Sequence, residues 1–272
     1  MLHPAAREFV AERAQQQIGV CGGHDAELMA RDVVLLHGFT HTGASWDPVV
    51  AALGERYRAF APDIRGHGSA SMREPVTLEA VLDDLAALAP PRFTLVGYSM
   101  GGRLALHAAL AAALDRRIDG LVLIGASPGI EDPAEREERR NADERLADEV
   151  DHMTIEQFAE RWAQTPVLAG QPPAVAAAVR ADRLRNQPPG LAGALRGLGT
   201  GALPSLWHRL PEVRAPVTLI AGERDAKFRG IADEMARGLQ DATIAVVPSA
   251  GHAVHLETPA RVAALIAQSP AA

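Results

Sequence analysis

The sequence predicts an α/β protein in which a mostly parallel sheet lies between two layers of helices. Six short apolar runs are each followed by a turn that contains Gly or Pro, which is typical of buried parallel strands. Segments with helical periodicity separate most of these runs, and such alternation places helices on both faces of a sheet. The predicted strands are Val33–Leu36, Tyr57–Ala61, Phe93–Val96, Leu121–Ile124, Val217–Ile220 and Thr243–Val247. The predicted helices of this core are Val76–Leu88, Gly101–Leu114, Ile231–Leu239 and Pro259–Ala267.

The alternation breaks between Pro128 and Pro211. This stretch has helical periodicity and no convincing strand, so it predicts a helical lid inserted between two strands of the sheet. Its predicted helical segments are Glu131–Glu149, Ile155–Ala163, Ala174–Leu184 and Leu191–Leu198. The predicted domains are a core of residues 31–127 and 211–272, a helical lid of residues 128–210, and an N-terminal extension of residues 1–30 that the sequence patterns leave uninterpreted.

Composition narrows the classes of function. The 272 residues carry a formal net charge of −7, which argues against nucleic acid as a partner. Cys21 is the single cysteine, so no intrachain disulfide can form, as fits a reducing cytosol. No apolar run reaches the length of a membrane span, and the N-terminal stretch lacks the apolar centre of a signal peptide. We therefore expect a cytoplasmic protein without an integral membrane segment, and the oligomeric state stays open.

The motif Gly97-Tyr98-Ser99-Met100-Gly101 joins a predicted strand to a predicted helix. Small residues must flank a nucleophile on so tight a turn. The serine hydroxyl is then exposed at the carboxyl edge of the sheet, beside a helix N-terminus. In this context the pattern indicates the nucleophile elbow of the α/β-hydrolase fold, and it predicts that Ser99 is the reactive group of an enzyme.

Ser99 needs a neighbour that takes its proton, because a serine hydroxyl is otherwise a weak nucleophile or base. In the α/β-hydrolase fold an Asp or Glu follows a later strand, and a His follows near the C-terminus. Asp225 comes after the strand that ends at Ile220, and His252 comes after the strand that ends at Val247. Both would lie at carboxyl ends of strands, which is the functional edge of such a sheet. Ser99, His252 and Asp225 are therefore predicted to form a catalytic triad.

An oxyanion hole would complete this machinery, and it needs two backbone N–H donors. Met100, which follows the nucleophile, is predicted to supply one of them. Phe39, in the loop His37-Gly38-Phe39-Thr40, is predicted to supply the other. Glycine in that loop lets the backbone approach a substrate closely, and His37 is interpreted as a structural histidine.

The remaining candidate motifs are interpreted as structural. His41, His67 and His107 have no coherent metal-ligand spacing, so no metal site is expected. The sequence has no phosphate-loop or dinucleotide fingerprint, so no cofactor is expected either. The segment Asp63–Ser69 is interpreted as a loop that shapes the rim of the pocket.

Several longer motifs resemble one family of enzymes. In the core they are Ser99-Met100-Gly101-Gly102-Arg103, Gly222-Glu223-Arg224-Asp225-Ala226-Lys227-Phe228, and Gly251-His252 with Glu257 and Pro259. In the insert they are Ser127-Pro128-Gly129, Arg183-Leu184-Arg185-Asn186, and Gly190-Leu191 running on to Gly199-Thr200-Gly201. From about Val33 to Ile266, the chain resembles the 2-succinyl-6-hydroxy-2,4-cyclohexadiene-1-carboxylate synthases of menaquinone biosynthesis.

The resemblance implies a carbon–oxygen lyase on a hydrolase fold. Such an enzyme eliminates pyruvate from 2-succinyl-5-enolpyruvyl-6-hydroxy-3-cyclohexene-1-carboxylate. Ser99, activated by His252 and oriented by Asp225, would act as the general base that takes a ring proton next to the succinyl ketone. The amides of Met100 and Phe39 would hold the developing enolate oxygen. Water takes no part, so the lid would exclude it.

The implied substrate is a small molecule with three carboxylates. By motif position, Arg103, Arg139 and Arg183 correspond to the family's substrate-binding arginines. Forked guanidinium groups suit such a ligand because they pair with carboxylates in bidentate fashion. Tyr98 and Trp162 correspond to its pocket-lining aromatic residues.

Alternatives to the three arginines stay open. Arg139 and Arg183 lie in Arg-rich stretches, so Arg140 and Arg185 are the alternatives. For Arg103 the alternative is a solvated residue on the surface of its helix.

Two residues and one longer stretch need an interpretation apart from these motifs. Lys227 is interpreted as support for the Asp225 loop rather than as a substrate ligand. Ala226 and the long stretch before Val33 depart from the family pattern, and neither touches the predicted chemistry.

Two other functions compete with the lyase. The first is an ester or carbon–carbon bond hydrolase with the same triad, for which an apolar acyl pocket would be expected instead of several carboxylate-binding arginines. The second is a non-catalytic binding protein on this fold. The intact set of Ser99, Asp225 and His252 weighs against the second.

Overall fold

The computed structural model describes residues 30–165 and 170–269. Residues 1–29, which make up nearly all of the predicted N-terminal extension and include Cys21, lie outside the described residues. In the described part of the chain, no helix is both long and apolar enough to cross a membrane.

In the part of the chain that the structure describes, six parallel strands form one sheet. The strands are β1 (Arg31–Leu36), β2 (Tyr57–Phe60), β3 (Phe93–Tyr98), β4 (Ile118–Ile124), β5 (Val217–Gly222) and β6 (Ala242–Val247). Their order across the sheet is β2-β1-β3-β4-β5-β6. All six predicted strands are present, which confirms the α/β prediction. β4 begins at Ile118 rather than at Leu121 because Asp119 and Gly120 interrupt the apolar pattern without interrupting the strand.

Helices cover both faces of the sheet. They are α1 (Asp47–Leu53), α2 (Leu78–Leu88), α3 (Met100–Ala109), α4 (Pro133–Asp151), α5 (Ile155–Ala163), α6 (Pro173–Arg183), α7 (Pro188–Leu198), α8 (Ala226–Gly238), α9 (Val254–Glu257) and α10 (Pro259–Gln268). Short 3-10 turns occur at Gly43–Trp46, Gly68–Ala70 and Trp207–Glu212. The sequence patterns did not predict α1 and α9, because seven and four residues are too few to show helical periodicity.

Two apolar clusters lie on opposite faces of the sheet. Successive side chains of a strand point to opposite faces, so Val34 packs in the cluster with α2, α3 and α8, whereas Val33 and Leu35 pack in the cluster with α1 and α10. The central strands are buried on both sides, which explains why they appear in the sequence as continuous apolar runs rather than alternating ones.

The carboxyl ends of the central strands lie at nearly one level. Cα partners near those ends are Leu36 with Gly97, Tyr98 with Ile124, Ile124 with Ile220, and Gly222 with Val247. The loops that follow β1, β3, β4, β5 and β6 therefore meet at the same edge of the sheet. These loops and their flanking turns carry the residues predicted for the triad and the oxyanion hole.

Between β4 and β5, the described residues of the range 133–198 include the helices α4 to α7, and we call this part of the chain the helical insert. Its own apolar cluster joins Ala147 and Val150 of α4 to Phe158 of α5 and Leu191 of α7. On its outer side Arg196 donates hydrogen bonds to carboxylates of α4, namely those of Glu144, Asp148 and Asp151. The insert thus has an apolar cluster of its own, while Ala194 and Leu198 of α7 pack in the cluster that covers one face of the sheet.

Candidate active site

Ser99 lies on the sharp turn between β3 and α3, with a positive φ of 51°. Its N–H donates to the carbonyl of Ile124 at 2.9 Å, which ties the turn to β4. The turn needs glycine on both sides. A Cβ on Gly97 would lie 2.4 Å from the carbonyl oxygen of Gly101, and one on Gly101 would lie 2.2 Å from that of Leu36. Positive φ is costly for a side-chain-bearing residue and persists where the surroundings over-determine it.

His252 joins Ser99 to Asp225. Its Nδ1 lies 2.6 Å from Asp225 Oδ2, and its Nε2 lies 3.3 Å from Ser99 Oγ. The side chains of His252 and Asp225 are 5% and 8% exposed. Because the carboxylate accepts the Nδ1–H, the neutral imidazole keeps its Nε2 lone pair directed at the serine hydroxyl. This geometry can take a proton from Ser99 and stabilise the resulting imidazolium.

Three neighbours fix the imidazole of His252 in place. The rings of Phe228 and Tyr98 lie 4.5 Å and 5.3 Å from it, centroid to centroid. On a third side is Gly125, where a Cβ would lie 2.8 Å from His252 Cε1. Asp225 caps α8 by accepting the N–H of Phe228 at 3.3 Å, and Lys227 lies over the Phe228 ring. Lys227 therefore contacts a residue that supports the Asp225 carboxylate.

Glu257, which belongs to the motif around His252, accepts hydrogen bonds from two loops of the site. Its Oε2 accepts the N–H of Gly251 at 2.9 Å and a hydrogen bond from Arg224 Nη2 at 2.8 Å. Gly251 immediately precedes His252, and Arg224 immediately precedes Asp225. One buried carboxylate thus ties together the loops that carry two members of the predicted triad.

The two predicted oxyanion donors lie where the sequence suggested. Met100 is the first residue of α3, so its N–H has no carbonyl partner in that helix. Phe39 lies in a turn closed by the hydrogen bond from His41 N–H to the Gly38 carbonyl, at 3.1 Å. Among residues 30–165 and 170–269, neither amide donates a hydrogen bond. A Cβ on Gly38 would lie 2.7 Å from the Tyr98 ring, so glycine is needed for this approach.

His37 supports the same loop through two contacts of its ring. It is fully buried, its Nδ1 lies 2.9 Å from the Gly38 carbonyl, and its Nε2 accepts the N–H of Ile64 at 3.0 Å. Burial lowers the pKa of His37 to about 4. A neutral imidazole that links two loops agrees with its interpretation as a structural histidine.

Arg103 is buried, not solvated. It lies one turn after Ser99 in α3 and is 7% exposed. Its Nη2 donates to the Leu198 carbonyl at 3.2 Å, whereas Nε has no partner in the described chain. Burial, and then the nearby charge of Arg139, lower the pKa of Arg103 to about 10.

Arg183 is still more enclosed, at 1% exposure. It donates from Nε to Thr40 Oγ1 at 3.3 Å and from Nη1 to the Ala159 carbonyl at 3.2 Å, while Nη2 finds no partner among the described residues. Burial lowers its pKa to about 10. We call residues 38–42 the oxyanion turn. Two guanidinium groups thus lie near the elbow and this turn, and each has a buried nitrogen without a partner among the described residues.

The structure distinguishes the other arginines by exposure. Arg139 is half-exposed and donates from Nε to Asp143 at 2.8 Å. Arg140 and Arg185 are 59% and 65% exposed, and each lies next to an acidic side chain of its own helix or turn. Arg183 is therefore the buried member of its stretch, and Arg139 is the one whose charge reaches Arg103.

The two predicted aromatic residues both lie beside the oxyanion turn, Tyr98 next to Gly38 and Trp162 next to Phe39. Tyr98 is 2% exposed and packs against His255 at 4.2 Å between ring centroids. Burial, with the charges of Asp225 and Glu257, raises its pKa. Trp162, on α5, lies edge-on to the Phe39 ring at 5.1 Å, so the insert contacts the turn directly.

Comparison with known proteins identifies the group to which the chain is similar. A model described as "Alpha/beta hydrolase family" matches residues 33–265. A 2-succinyl-6-hydroxy-2,4-cyclohexadiene-1-carboxylate synthase of Salmonella newport is 35% identical over 247 residues, which cover 87% of this chain and 92% of that protein. A Bacillus subtilis protein, provisionally given the same name, is 38% identical over 240 residues, with 84% and 85% coverage. The solved structure of MenH from S. aureus superposes with a TM-score of 0.83 at 31% identity, covering 90% of this chain and 95% of that one.

Proposed function

This chain belongs to the alpha/beta hydrolase family and, within it, to the 2-succinyl-6-hydroxy-2,4-cyclohexadiene-1-carboxylate synthases, and from this premise we propose how its residues perform the elimination. The reaction releases pyruvate from 2-succinyl-5-enolpyruvyl-6-hydroxy-3-cyclohexene-1-carboxylate. Ser99, His252 and Asp225 form the base that starts it.

The first step is proton abstraction from the ring carbon next to the succinyl ketone. Ser99 Oγ takes this proton while its own proton passes to His252 Nε2, across the 3.3 Å contact. The electrons of the broken C–H bond move onto the ketone oxygen, and the amides of Phe39 and Met100 stabilise that enolate. Asp225 stabilises the imidazolium that forms.

The second step is departure of the enolpyruvyl group. The enolate returns to the ketone as a double bond forms between ring carbons 2 and 3. The existing double bond between ring carbons 3 and 4 moves to carbons 4 and 5, and the bond from carbon 5 to the enolpyruvyl oxygen breaks. The leaving group is the enolate of pyruvate, and it becomes pyruvate on taking up a proton, which His252 holds after the first step. No water is consumed and no acyl-enzyme forms, so Ser99 acts as a base and not as a nucleophile.

The observation that carries this proposal is the pair of buried, incompletely paired guanidinium groups. Arg103 contacts the carbonyl at the end of α7, and Arg183 contacts the oxyanion turn, and each has a buried nitrogen without a partner in the described chain. Burial of a cation without a compensating anion is costly. Substrate carboxylates compensate both charges, whereas a neutral ester would compensate neither.

The helical insert acts in this proposal as a lid. It contributes Arg139, Trp162 and Arg183 to the substrate side of the site, whereas the core contributes the triad. Because the reaction passes through an enolate that a proton from water would quench, covering the site favours elimination. Residues 128–210 are therefore proposed as the lid domain and residues 31–127 and 211–272 as the catalytic core.

A coupled assay for pyruvate tests the proposal. Purified protein is mixed with the enolpyruvyl substrate, and lactate dehydrogenase with NADH reports each pyruvate released. The wild type is expected to release pyruvate, and Ser99→Ala is expected to lose activity by at least ~10³-fold because the base is removed. Hydrolysis of a p-nitrophenyl ester is measured in parallel. Rapid ester turnover without pyruvate release would assign the chain to the hydrolases instead.

A further inference from the structure

The turn that carries the Phe39 amide is strained at the next residue. Thr40 has a positive φ of 69° although its side chain is β-branched. Such residues rarely adopt left-handed backbone conformations, and they do so where neighbouring groups impose the conformation. The direction of the Phe39 N–H therefore depends on what holds Thr40 and the residues after it.

Asn186 holds the backbone of Thr40. Its Nδ2 donates to the Thr40 carbonyl at 2.8 Å and to the Arg183 carbonyl at 3.0 Å, and its Oδ1 accepts the N–H of Gly68 at 3.0 Å. Asn186 and Thr40 are 3% and 2% exposed, so water does not compete for these bonds. One side-chain amide from the insert thus ties together two loops of the core.

Asp182 holds the other end of the turn. Its Oδ2 accepts the N–H of Thr42 at 2.9 Å, and its carboxylate also accepts the hydroxyl of Thr42. His41 Nδ1 lies 3.5 Å from the same Oδ2. Burial raises the pKa of Asp182, but the close approach of His41 and the hydrogen bonds from Thr42 outweigh it, so the pKa lies below its usual value. Asp182 is therefore an ionised, buried acceptor at neutral pH.

We propose that Asp182 and Asn186 are positioning residues that hold the oxyanion turn, residues 38–42, in the shape that aims the Phe39 N–H at the enolate. The inference rests on the proposed function, because it takes the Phe39 amide as an oxyanion donor. Both residues come from the C-terminal end of α6 and the turn after it, whereas the oxyanion turn follows β1. The insert thereby builds part of the catalytic machinery as well as covering it.

A positioning role predicts a particular kinetic signature. The oxyanion exists only after proton abstraction, so misdirecting its donor weakens the transition state and leaves substrate binding nearly unchanged. Asp182→Ala and Asn186→Ala are each expected to lower kcat by about tenfold to a hundredfold while KM changes by less than about threefold. Asp182→Asn can still accept the Thr42 N–H and can donate to the Thr42 hydroxyl, so it is expected to keep most of kcat.

The matched control is Arg196→Ala. Arg196 also joins two segments of the insert, through three carboxylates of α4, but it does not touch the oxyanion turn. Loss of these contacts is expected to lower the melting temperature slightly and to leave kcat unchanged. Melting temperatures of all variants are recorded, so that loss of folded protein is separated from loss of rate.

The outcomes decide the inference independently of the proposed function. A phosphofluoridate labels Ser99 with its P=O oxygen in the same oxyanion hole. The labelling rate therefore measures how well the oxyanion turn is positioned, even if the wild type releases no pyruvate. Slower labelling in Asp182→Ala and Asn186→Ala, with recovery in Asp182→Asn, supports the inference. Unchanged kcat and labelling, or a rise in KM alone, would overturn it.

Should Asp182→Ala not fold, Thr42→Val serves in its place. Reduced labelling at the wild-type melting temperature supports the inference, and unchanged labelling overturns it.

Discussion

Gly125 lies directly against the imidazole of His252. A Cβ on Gly125 would lie 2.8 Å from His252 Cε1 and 2.9 Å from Nδ1, and the residue has a positive φ of 54°. Gly125 follows β4 directly, whereas His252 follows β6, so the contact joins two loops at the same edge of the sheet. The absence of a side chain at residue 125 is what leaves room for the imidazole between Asp225 and Ser99.

Substitution of Gly125 tests how strictly this space is required. Gly125→Ala places a methyl group against His252 and strains the backbone, so the imidazole must move away from Ser99 or Asp225. We expect kcat for pyruvate release to fall by about tenfold to a hundredfold, as for other small displacements of catalytic groups. The measurement is steady-state kinetics together with a thermal melt.

Gly230→Ala is the matched control for this substitution. Gly230 lies in α8, and a Cβ there would have no neighbour within 4 Å. Alanine is favoured over glycine in a helix by up to about 1 kcal/mol, so this variant is expected to melt slightly higher and to keep its kcat. A Gly125→Ala variant with wild-type kcat would mean that His252 tolerates displacement, against the geometry described above.

Arg103 is expected to bind a carboxylate of the substrate. Removing it takes away a charge-assisted contact, so Arg103→Ala should lower kcat/KM for the enolpyruvyl substrate by about 2 kcal/mol or more in transition-state stabilisation. Arg140→Ala is the control, because Arg140 is exposed and pairs with Glu137. The coupled pyruvate assay measures both variants. An unchanged kcat/KM in Arg103→Ala would show that its unpaired Nε does not face the substrate.

Buried histidines make stability depend on pH. Burial lowers the pKa of His37 and of His107 to about 4, and it lowers the pKa values of His67 and His255 well below the usual range. In the unfolded chain histidines bind protons below about pH 6.5. Between about pH 6.5 and pH 4 the unfolded state therefore binds more protons than the folded state, so the free energy of unfolding falls as the pH falls.

Urea unfolding at a series of pH values from about 7 to about 4.5 measures this slope. Each buried histidine contributes at most about 1.4 kcal/mol per pH unit. His107→Gln removes one such group, whose Nε2 has no partner among the described residues. The variant should therefore show a shallower slope than the wild type, by about one proton. A free energy of unfolding that stays level over this range would contradict the lowered pKa values.

Local patterns were sufficient for most of the fold. The six strands, the helices α2, α3, α8 and α10 and the four helices of the insert all overlap the segments predicted from periodicity. Ser99, Asp225 and His252 were predicted from their order after successive strands, and the structure places their side chains within hydrogen-bond distance of one another. Their catalytic roles stay predictions; Ser99→Ala tests the role of Ser99, and Gly125→Ala tests the placement of His252.

Local patterns in the sequence predict where the chain turns, which faces of its elements are apolar, and which residues follow the carboxyl ends of strands, because each of these depends on neighbours within a few positions. The burial of Arg183 rather than Arg185, the enclosure of Arg103, and the contacts of Glu257, Asp182 and Asn186 with the loops of the site emerge only from the folded chain. Thr42 and Asp182 are 140 positions apart, and Ser99 and His252 are 153 apart. Contacts at such separation follow from the packing of the insert and the loops on the sheet. No local periodicity in the sequence indicates which polar groups will face one another after this packing.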